Sequence, residues 1–359
     1  MDCSDPVELT LKLVDIPSVS GDEARLAGAV EERLARCEHL DVMRNGNAVV
    51  ARTNLGRPVR ILLAGHLDTV PIADNVPGER RHTSEGEVIW GRGSVDMKAG
   101  DAVFLHLATE LTSPRADLTW VFYDNEEVEF NLNGLGRIAR ENPEWLDADL
   151  AVLGEPTGAA IEGGCNGTLR VDVTARGVAA HSARPWLGDN AIHALRPALQ
   201  TLAAWNPTER EVGGLAFTES LLAVSVRGGT TLNSVPDEAT LAVNFRFAPD
   251  RSPQEAVAYV SGLFDGYEVT VADVAPGAAP GMDHPEFVRL ASIAEAHGAG
   301  RARAKLGWTD VSRFSALGIP AINFGPGAPE FAHRDDEACP VEQIERVTRV
   351  VDQWLAVGV

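Results

Sequence analysis

The segment V-R-I-L-L-A-G-H-L-D-T-V, residues 59–70, joins a mostly apolar run to a short polar motif. The apolar half, 59–64, is typical of a strand that is covered on both faces. His66 and Asp68 follow two positions apart, so on an extended backbone their side chains point to the same side. A carboxylate placed there can fix the ring of a metal-bound imidazole. The segment therefore predicts a buried strand with a metal-ligating histidine at its carboxyl end.

Other motifs place acids and a second histidine just after predicted strands or in turns beside them. They are G-R-G-S-V-D-M-K with Asp96, Y-D-N-E-E with Glu126 and Glu127, L-G-E-P-T with Glu155, and A-H-R with His333. Imidazole and carboxylate groups are ligands that zinc accepts. Two histidines with several carboxylates therefore predict a centre that holds two zinc ions.

The order of the predicted elements favours an α/β fold. Apolar strands alternate with helices, which is typical of a mostly parallel sheet flanked by helices. Functional groups in such sheets gather at the carboxyl ends of the strands, where these motifs lie. The segment S-G-D-E at 20–23 also predicts a capping box that begins a helix. The predicted strands are 48–53, 59–64, 118–123 and 150–153.

After about residue 165 the pattern of the sequence changes. The segment T-L-R-V-D-V-T-A at 168–175 and the segment 239–247 alternate between apolar and polar residues, as strands with one wet face do. Together with two predicted helices they indicate an α+β unit with an antiparallel, ferredoxin-like sheet. We therefore expect a catalytic domain in two parts, 1–166 and 280–359, with an inserted lid and dimerisation domain at 167–279.

Composition excludes several classes of partner. The chain of 359 residues has 31 Lys and Arg against 52 Asp and Glu, a formal net charge of −21. This balance disfavours nucleic acid and anionic membranes as partners. No apolar run has the length of a membrane span, and the first residues lack the pattern of a signal peptide, so we expect a cytoplasmic protein. Four widely spaced cysteines predict neither disulfides nor a thiolate zinc site.

The chemistry of two zinc ions suggests separate roles for these residues. Asp96 lies in a tight, glycine-rich turn, and we expect it to bridge the ions. Glu126 is then the general base, which takes a proton from the attacking water and passes it to the leaving amine. Each residue alone has a plainer interpretation, such as a core histidine, a solvated acidic pair or a turn acid, but their shared strand-end context favours the metal centre. We expect His66 and Glu155 to complete one ion's ligands, and Glu127 and His333 the other's.

Taken together, the motifs resemble the di-zinc aminoacylase/carboxypeptidase family over essentially the whole chain. The resemblance implies hydrolysis of an amide beside a carboxylate, with two Zn²⁺ per subunit and Co²⁺ as an alternative at one site. It implies the same metal ligands, with Glu126 as the base and Asp68 orienting His66. It also implies a cis peptide after Asp96.

The resemblance implies further roles outside the metal ligands. His181, in the inserted domain, would reach across a homodimer and polarise the scissile carbonyl. Asn233, in N-S-V-P, and Arg246, in N-F-R-F, would bind the substrate, and Thr309 would lie in a loop beside it. That loop, L-G-W-T-D-V, departs from the usual pattern of the family, as do Glu129 and residues 131–133.

For the substrate, the motifs favour the actinobacterial branch of the family that acts on N-succinyl-LL-2,6-diaminopimelate and releases succinate and LL-2,6-diaminopimelate. Deacetylation of acetylornithine, or hydrolysis of another acyl-amino acid or a dipeptide, stays open. A catalytically inactive binding protein of the same fold is the alternative from another class, although no ligand and no base is missing from this sequence.

Overall fold

The computed structural model describes residues 1–84 and 86–356. Its contacts divide the chain into two compact units. The main unit contains Met1–Gly163, Pro280–Arg303 and the described part of Thr309–Val359, and the inserted unit contains Gly164–Ala279 and Ala304–Trp308. The last of these segments falls in the part predicted as catalytic domain. It groups with the inserted unit because Ala304 packs against Phe217 and the Trp308 indole donates to the carbonyl oxygen of Pro276 at 3.1 Å.

The α-helices and β-strands are numbered in chain order. The helices are α1 Pro6–Val14, α2 Ala24–Leu34, α3 Lys98–Glu110, α4 Gly134–Glu141, α5 Ala191–Ala194, α6 Arg196–Ala204, α7 Pro253–Leu263, α8 Pro285–Ala296, α9 Val311–Ala316 and α10 Val341–Leu355. The strands are β1 Asp41–Asn45, β2 Ala48–Arg52, β3 Arg60–His66, β4 Glu79–Thr83, β5 Gly86–Trp90, β6 Asp117–Tyr123, β7 Leu150–Leu153, β8 Glu162–Gly163, β9 Gly167–Arg176, β10 Ala180–His181, β11 Thr208–Val212, β12 Leu215–Gly228, β13 Ser234–Val235, β14 Glu238–Phe247, β15 Glu268–Ala275, β16 Arg303–Ala304, β17 Ala321–Asn323 and β18 Ala338–Pro340.

The large sheet of the main unit has its parallel strands at the centre. Its order is β1-β2-β6-β3-β7-β17-β8-β16, and the pairs β6–β3, β3–β7 and β7–β17 are parallel. Every residue of β6 and β7 is buried, which explains why β7 is entirely apolar and β6 is apolar apart from Asp117 and Thr119. The predicted α/β fold with a mostly parallel sheet is confirmed.

The core of the main unit lies between this sheet and its helices. Helix α10 buries Ile344, Val347, Val351 and Leu355, which recur at helical spacing and form one apolar face. Each fully buried aliphatic side chain contributes about 1.5–3 kcal/mol. The predicted capping box at 20–23 is wrong: α2 has no side-chain cap, because the Ser20 hydroxyl donates to the carboxylate of Asp68 instead, at 2.7 Å.

A second, smaller sheet in the main unit was not predicted. It has the order β18-β5-β4, and both of its pairs are antiparallel. Trp90, at the end of β5, pairs with Ala338, at the start of β18. The turn that follows β5 and the loop that precedes β18 therefore leave the sheet side by side.

The inserted unit is an α+β sandwich. Its sheet has the order β11-β12-β14-β9-β15, and each neighbouring pair of strands is antiparallel. Without β11, the order β12-β14-β9-β15 with its intervening helices is the predicted ferredoxin-like arrangement. The helices α5, α6 and α7 cover one face of the sheet. The helical segment after β10 is divided into α5 and α6 near Pro197, a residue that cannot continue a helical hydrogen-bond ladder.

Among the described residues, no helix is both long and apolar enough to cross a membrane. The four cysteines are free and buried.

Candidate metal centre

Three neighbouring parallel strands of the large sheet bring four of the predicted site residues together. His66 is the last residue of β3, Glu126 and Glu127 follow β6, and Glu155 follows β7. Because β6, β3 and β7 are adjacent and parallel, their carboxyl ends meet at one edge. The segments next to the small sheet supply the other two predicted site residues, Asp96 from the turn after β5 and His333 from the loop before β18.

These side chains form two groups that share Asp96. One group is His66, Asp96 and Glu155, and the other is Asp96, Glu127 and His333; within each group the ligand atoms lie within 4.8 Å of one another. Asp96 presents one oxygen to each histidine, with Oδ1 at 3.1 Å from His66 Nε2 and Oδ2 at 3.4 Å from His333 Nε2. The peptide between Asp96 and Met97 is cis, as the family resemblance implies.

Glu126 lies beside both groups. It forms a third group with His66 and Glu127, again within 4.8 Å. Its neighbour Glu127 is engaged differently, because Glu127 Oε1 accepts a hydrogen bond from His333 Nε2 at 2.9 Å. The residue before the pair, Asn125, has a positive φ of 59°, and this bend at the end of β6 lets two consecutive acids face one site.

Asp68 organises the site through two different groups. Its backbone carbonyl accepts from His66 Nδ1 at 3.0 Å, which leaves Nε2 facing Asp96, while its carboxylate lies 3.5 Å from the same nitrogen. The carboxylate also accepts from the backbone N–H groups of Glu126 at 2.9 Å and Glu127 at 3.0 Å. Asp68 therefore holds both the imidazole and the segment that carries the acidic pair.

The pKa values in the site reflect crowded acids around two imidazoles. Burial raises the pKa of Glu126 well above its usual value, and nearby acids raise it further. Burial also raises the pKa of Glu127. For Asp96, burial acts in the same direction, but hydrogen bonds from His333 and His66 outweigh it and lower the pKa. The hydrogen bonds to Asp96 and Glu127 raise the pKa of His333 to about 10.

The donor set fits divalent cations. Several carboxylates converge at short range with only two imidazoles to balance their charge, an arrangement that added positive charge stabilises. Carboxylate oxygen and imidazole nitrogen are the ligands of zinc, manganese and cobalt sites. The ligand groups found among the described residues contain no cysteine, so a thiolate centre is not indicated.

One residue that anchors this site was not identified from the sequence. Glu337 is 1% exposed, and its carboxylate accepts hydrogen bonds from the turn that contains Asp96. It lies in the run R-D-D-E at 334–337, which has the appearance of a solvated charged loop. Its position four residues after His333 was the only available signal.

The structure places the remaining predicted residues elsewhere. Thr309 is in the main unit, where its hydroxyl donates to Asn323 Oδ1 at 3.0 Å. His181, Asn233 and Arg246 are in the inserted unit. His181 pairs with Ser234 across the short β10–β13 ladder, and the Asn233 carbonyl accepts from Ser182 N–H at 2.8 Å, so the first two are close neighbours.

The chain is similar to two bacterial proteins over nearly its whole length. A Mycobacterium tuberculosis protein assigned as the succinyl-diaminopimelate desuccinylase DapE is 52% identical over 354 residues, which cover 98% of this chain and 98% of that protein. The succinyl-diaminopimelate desuccinylase of Corynebacterium glutamicum is 50% identical over 362 residues, covering 98% of this chain and 96% of that protein.

The fold also matches a solved structure. A tripeptidase from Staphylococcus aureus superposes with a TM-score of 0.79 at 22% identity, covering 99% of this chain and 98% of that one. At this level of identity the match supports the fold alone. The sequence pattern of peptidase family M20/M25/M40 matches residues 62–356. This match spans more than half of the chain, and the chain therefore belongs to peptidase family M20/M25/M40.

Proposed function

We propose that this chain is a metal-dependent amidohydrolase that converts N-succinyl-LL-2,6-diaminopimelate and water into succinate and LL-2,6-diaminopimelate. The observation that carries the proposal is the convergence of two ligand groups on Asp96. The choice of substrate is supported by identity of 50–52% to desuccinylases over nearly the whole chain.

The proposed ligands hold two divalent cations. A Bacillus subtilis protein of similar fold is a dinuclear metal-binding peptidase of the M20 family, which supports this proposal. Bound metal ions supply Lewis acidity, which polarises a carbonyl and makes a water molecule more acidic. We assign His66, Asp96 and Glu155 to one ion and Asp96, Glu127 and His333 to the other. Zinc suits this donor set, with cobalt as the alternative at one position.

Glu126 is the proposed general base. It takes a proton from water as the new C–O bond forms at the succinyl carbonyl, and it returns the proton to nitrogen as the C–N bond breaks. A half-buried carboxyl with a raised pKa suits both transfers, because it takes up a proton more readily than an ordinary carboxylate does. Asp68 keeps this residue in place through the backbone N–H of Glu126.

The inserted unit is proposed to recognise the substrate. The guanidinium of Arg246 makes no hydrogen bond or ion pair with any residue in the described part of the chain. It is therefore well suited to bind a substrate carboxylate, with which a guanidinium can form two parallel hydrogen bonds. Asn233 is proposed as a second contact and His181 as the donor that stabilises the developing oxyanion. In the main unit, Thr309 is proposed to line the same substrate.

A homodimer through the inserted unit is the proposed assembly. Residues 220–228 of β12 pair with β14 on one side, whereas β11 covers the other side only at 215–219. The uncovered part exposes Leu222, Val224 and Val226 by 48%, 54% and 58%. An apolar strand edge of this length is a template for pairing with another strand, and a second copy offers the same edge. The cytoplasmic location stays a prediction.

Turnover of a panel of substrates tests the proposed activity. The purified zinc-loaded protein should release succinate from N-succinyl-LL-2,6-diaminopimelate faster than it releases acetate from acetylornithine or cleaves dipeptides. Faster turnover of acetylornithine would overturn the choice of substrate but not the amidohydrolase assignment. No turnover of any of these compounds, with both ions bound, would favour a binding protein.

Complementation between inactive subunits tests the role of His181. His181→Ala and Glu126→Ala should each be inactive alone. If His181 acts across the dimer, mixed dimers contain one site with an intact base and an intact partner imidazole, so activity should return after subunit exchange. A mixture that stays inactive, although sedimentation shows mixed dimers, would place His181 outside the partner's site.

A further inference from the structure

We propose that Glu337 is a positioning residue that sets the geometry of the metal centre without binding metal itself. This inference rests on the metal assignment in the proposed function. In this role Glu337 holds Asp96, the proposed shared ligand, at a fixed distance from His333.

The carboxylate of Glu337 is saturated with donors from one turn. Oε1 accepts from the backbone N–H groups of Val95 at 2.8 Å and Asp96 at 3.0 Å. Oε2 accepts from the N–H of Gly93 at 3.1 Å and from Arg92 Nη1 at 2.9 Å. Each oxygen already accepts two hydrogen bonds, so Glu337 is not available as a metal ligand.

These contacts also tie the turn to the loop that carries His333. The Gly91 N–H donates to the backbone carbonyl of Glu337 at 3.0 Å, and Arg92 Nη1 donates to the carbonyl of Arg334 at 3.1 Å. Both segments continue directly into the β5–β18 ladder. One buried side chain thus connects Asp96, which precedes the inserted unit in the chain, with His333, which follows it.

Asp68 provides a precedent within the same molecule. It too is a buried acid that accepts from the backbone N–H groups of ligand-bearing residues, in that case Glu126 and Glu127. The two acids hold the two sides of the centre: Asp68 fixes the end of β6 and the ring of His66, and Glu337 fixes the turn after β5. Charge-assisted hydrogen bonds to backbone N–H groups are among the stronger ones, which suits this role.

The test measures metal binding, so it does not depend on the substrate. In Glu337→Gln, an amide NH₂ replaces one acceptor oxygen and faces backbone donors. Calorimetric titration of metal-free full-length protein with zinc should show apparent affinity reduced by about 10- to 100-fold, the usual cost of losing a residue that supports ligands. The visible absorption of the cobalt-loaded protein should change, and kcat should fall more than KM rises.

Asp336→Asn is the matched control. It lies next to Glu337 on the same loop, but its side chain is exposed and contacts Arg334 at the surface, so zinc affinity should stay at the wild-type value. Glu337→Asp, which keeps the charge but shortens the reach, should recover part of the lost affinity.

Wild-type zinc affinity and an unchanged cobalt spectrum in folded Glu337→Gln would overturn the proposal. If this variant does not fold, Arg92→Lys decides, because it removes the guanidinium and leaves the carboxylate on its three backbone donors. Weaker zinc binding in Arg92→Lys supports the proposal, and wild-type binding overturns it. Failure of the proposed substrate would appear separately, as normal metal binding without desuccinylation.

Discussion

The two units hold their proposed functional residues in opposite ways. In the main unit, His66 donates to a backbone carbonyl, Asp68 accepts from two backbone N–H groups, and Glu127 accepts from His333. In the inserted unit, His181 and Asn233 are exposed, and the Arg246 side chain has no hydrogen-bonding or ionic partner among residues 1–84 and 86–356. The residues of the main unit are held in place before any ligand binds. The three residues of the inserted unit are instead available to bind a molecule from outside that unit.

This difference separates two kinds of function. Pre-organised groups serve chemistry, because their positions need no rearrangement when charge develops in the transition state. Presented groups serve recognition, because an unpaired guanidinium can exchange water for a substrate carboxylate without first breaking an internal ion pair. Substitutions in the main unit should therefore act on kcat or metal content, and those in the inserted unit on substrate binding or on the oxyanion.

The largest expected effect is that of Glu126→Gln. Loss of the base should reduce kcat by about 10²- to 10⁴-fold, while zinc content stays normal because Glu126 is not an assigned ligand. Steady-state kinetics with elemental analysis measures both. Glu129→Gln, three residues along and exposed, is the control and should retain wild-type kcat. Wild-type turnover by Glu126→Gln would show that Glu126 is not the base. The assignment of catalysis to the main unit and of recognition to the inserted unit would then lose its main support.

Arg246→Ala should have the next largest effect. Charge-assisted hydrogen bonds contribute about 1.5–3 kcal/mol, so kcat/KM for the succinylated substrate should fall by about 10- to 100-fold, mainly through KM. The metal content should not change. A lower kcat with an unchanged KM would instead place this arginine with the catalytic groups.

A smaller effect is expected from pH on metal binding. In the metal-free protein, hydrogen bonds to Asp96 and Glu127 raise the pKa of His333 to about 10, so this ring is protonated at neutral pH. A metal ion binds only the neutral ring, so zinc uptake should release protons and zinc affinity should rise as pH increases toward that pKa. Calorimetry in buffers of different ionisation enthalpy counts the protons. Uptake without proton release would contradict the ligand assignment of His333.

The same pKa shift predicts how the stability of the metal-free protein changes with pH. Because the folded pKa lies above the unfolded one, the ion pairs of His333 stabilise the fold fully below about pH 6.5 and are lost as pH rises toward 10. The melting temperature of the metal-free His333→Gln variant should therefore show a weaker decrease over this range than that of the wild type.

The smallest effect is expected for Arg176→Ala. Arg176 lies on the same face of the inserted sheet as Arg246, but it is exposed and already paired with Glu238 and Glu268. Exposed ion pairs contribute little to stability, and a paired guanidinium is not free for a substrate. Both kcat/KM and melting temperature should stay at wild-type values. A large rise in KM would show that pairing does not distinguish the two arginines.

The sequence predicted those parts of the site that depend on local pattern. The buried strand before His66 and the apolar strand before Glu126 are visible as runs of apolar residues, and their parallel pairing places both at one edge. The supporting contacts were not predictable in this way. Glu337 and Ser20 act on segments far away in the chain, and a carboxylate that accepts backbone N–H groups leaves no periodic signal in the sequence.

Misleading local signals account for the remaining differences. Ser20 with Glu23 has the spacing of a capping box, yet the hydroxyl is engaged by Asp68, a partner 48 residues away in sequence. Strand β4 is rich in charged residues and largely exposed, and β5 is only five residues long and mostly half-buried, so hydrophobic periodicity does not reveal either strand. The pairing of β5 with β18, which brings Asp96 close to His333, could therefore not be predicted from the sequence.

The position of β17 in the large sheet has a consequence for synthesis on the ribosome. This strand pairs with β7, yet 167 residues (154–320), including the whole inserted unit, are translated between them. At roughly 5–20 residues per second, the nascent chain exposes the apolar edge of β7 for about 10–30 s. During that interval the inserted unit can fold while the large sheet of the main unit is unfinished, and a chaperone that shields strand edges would act in this window.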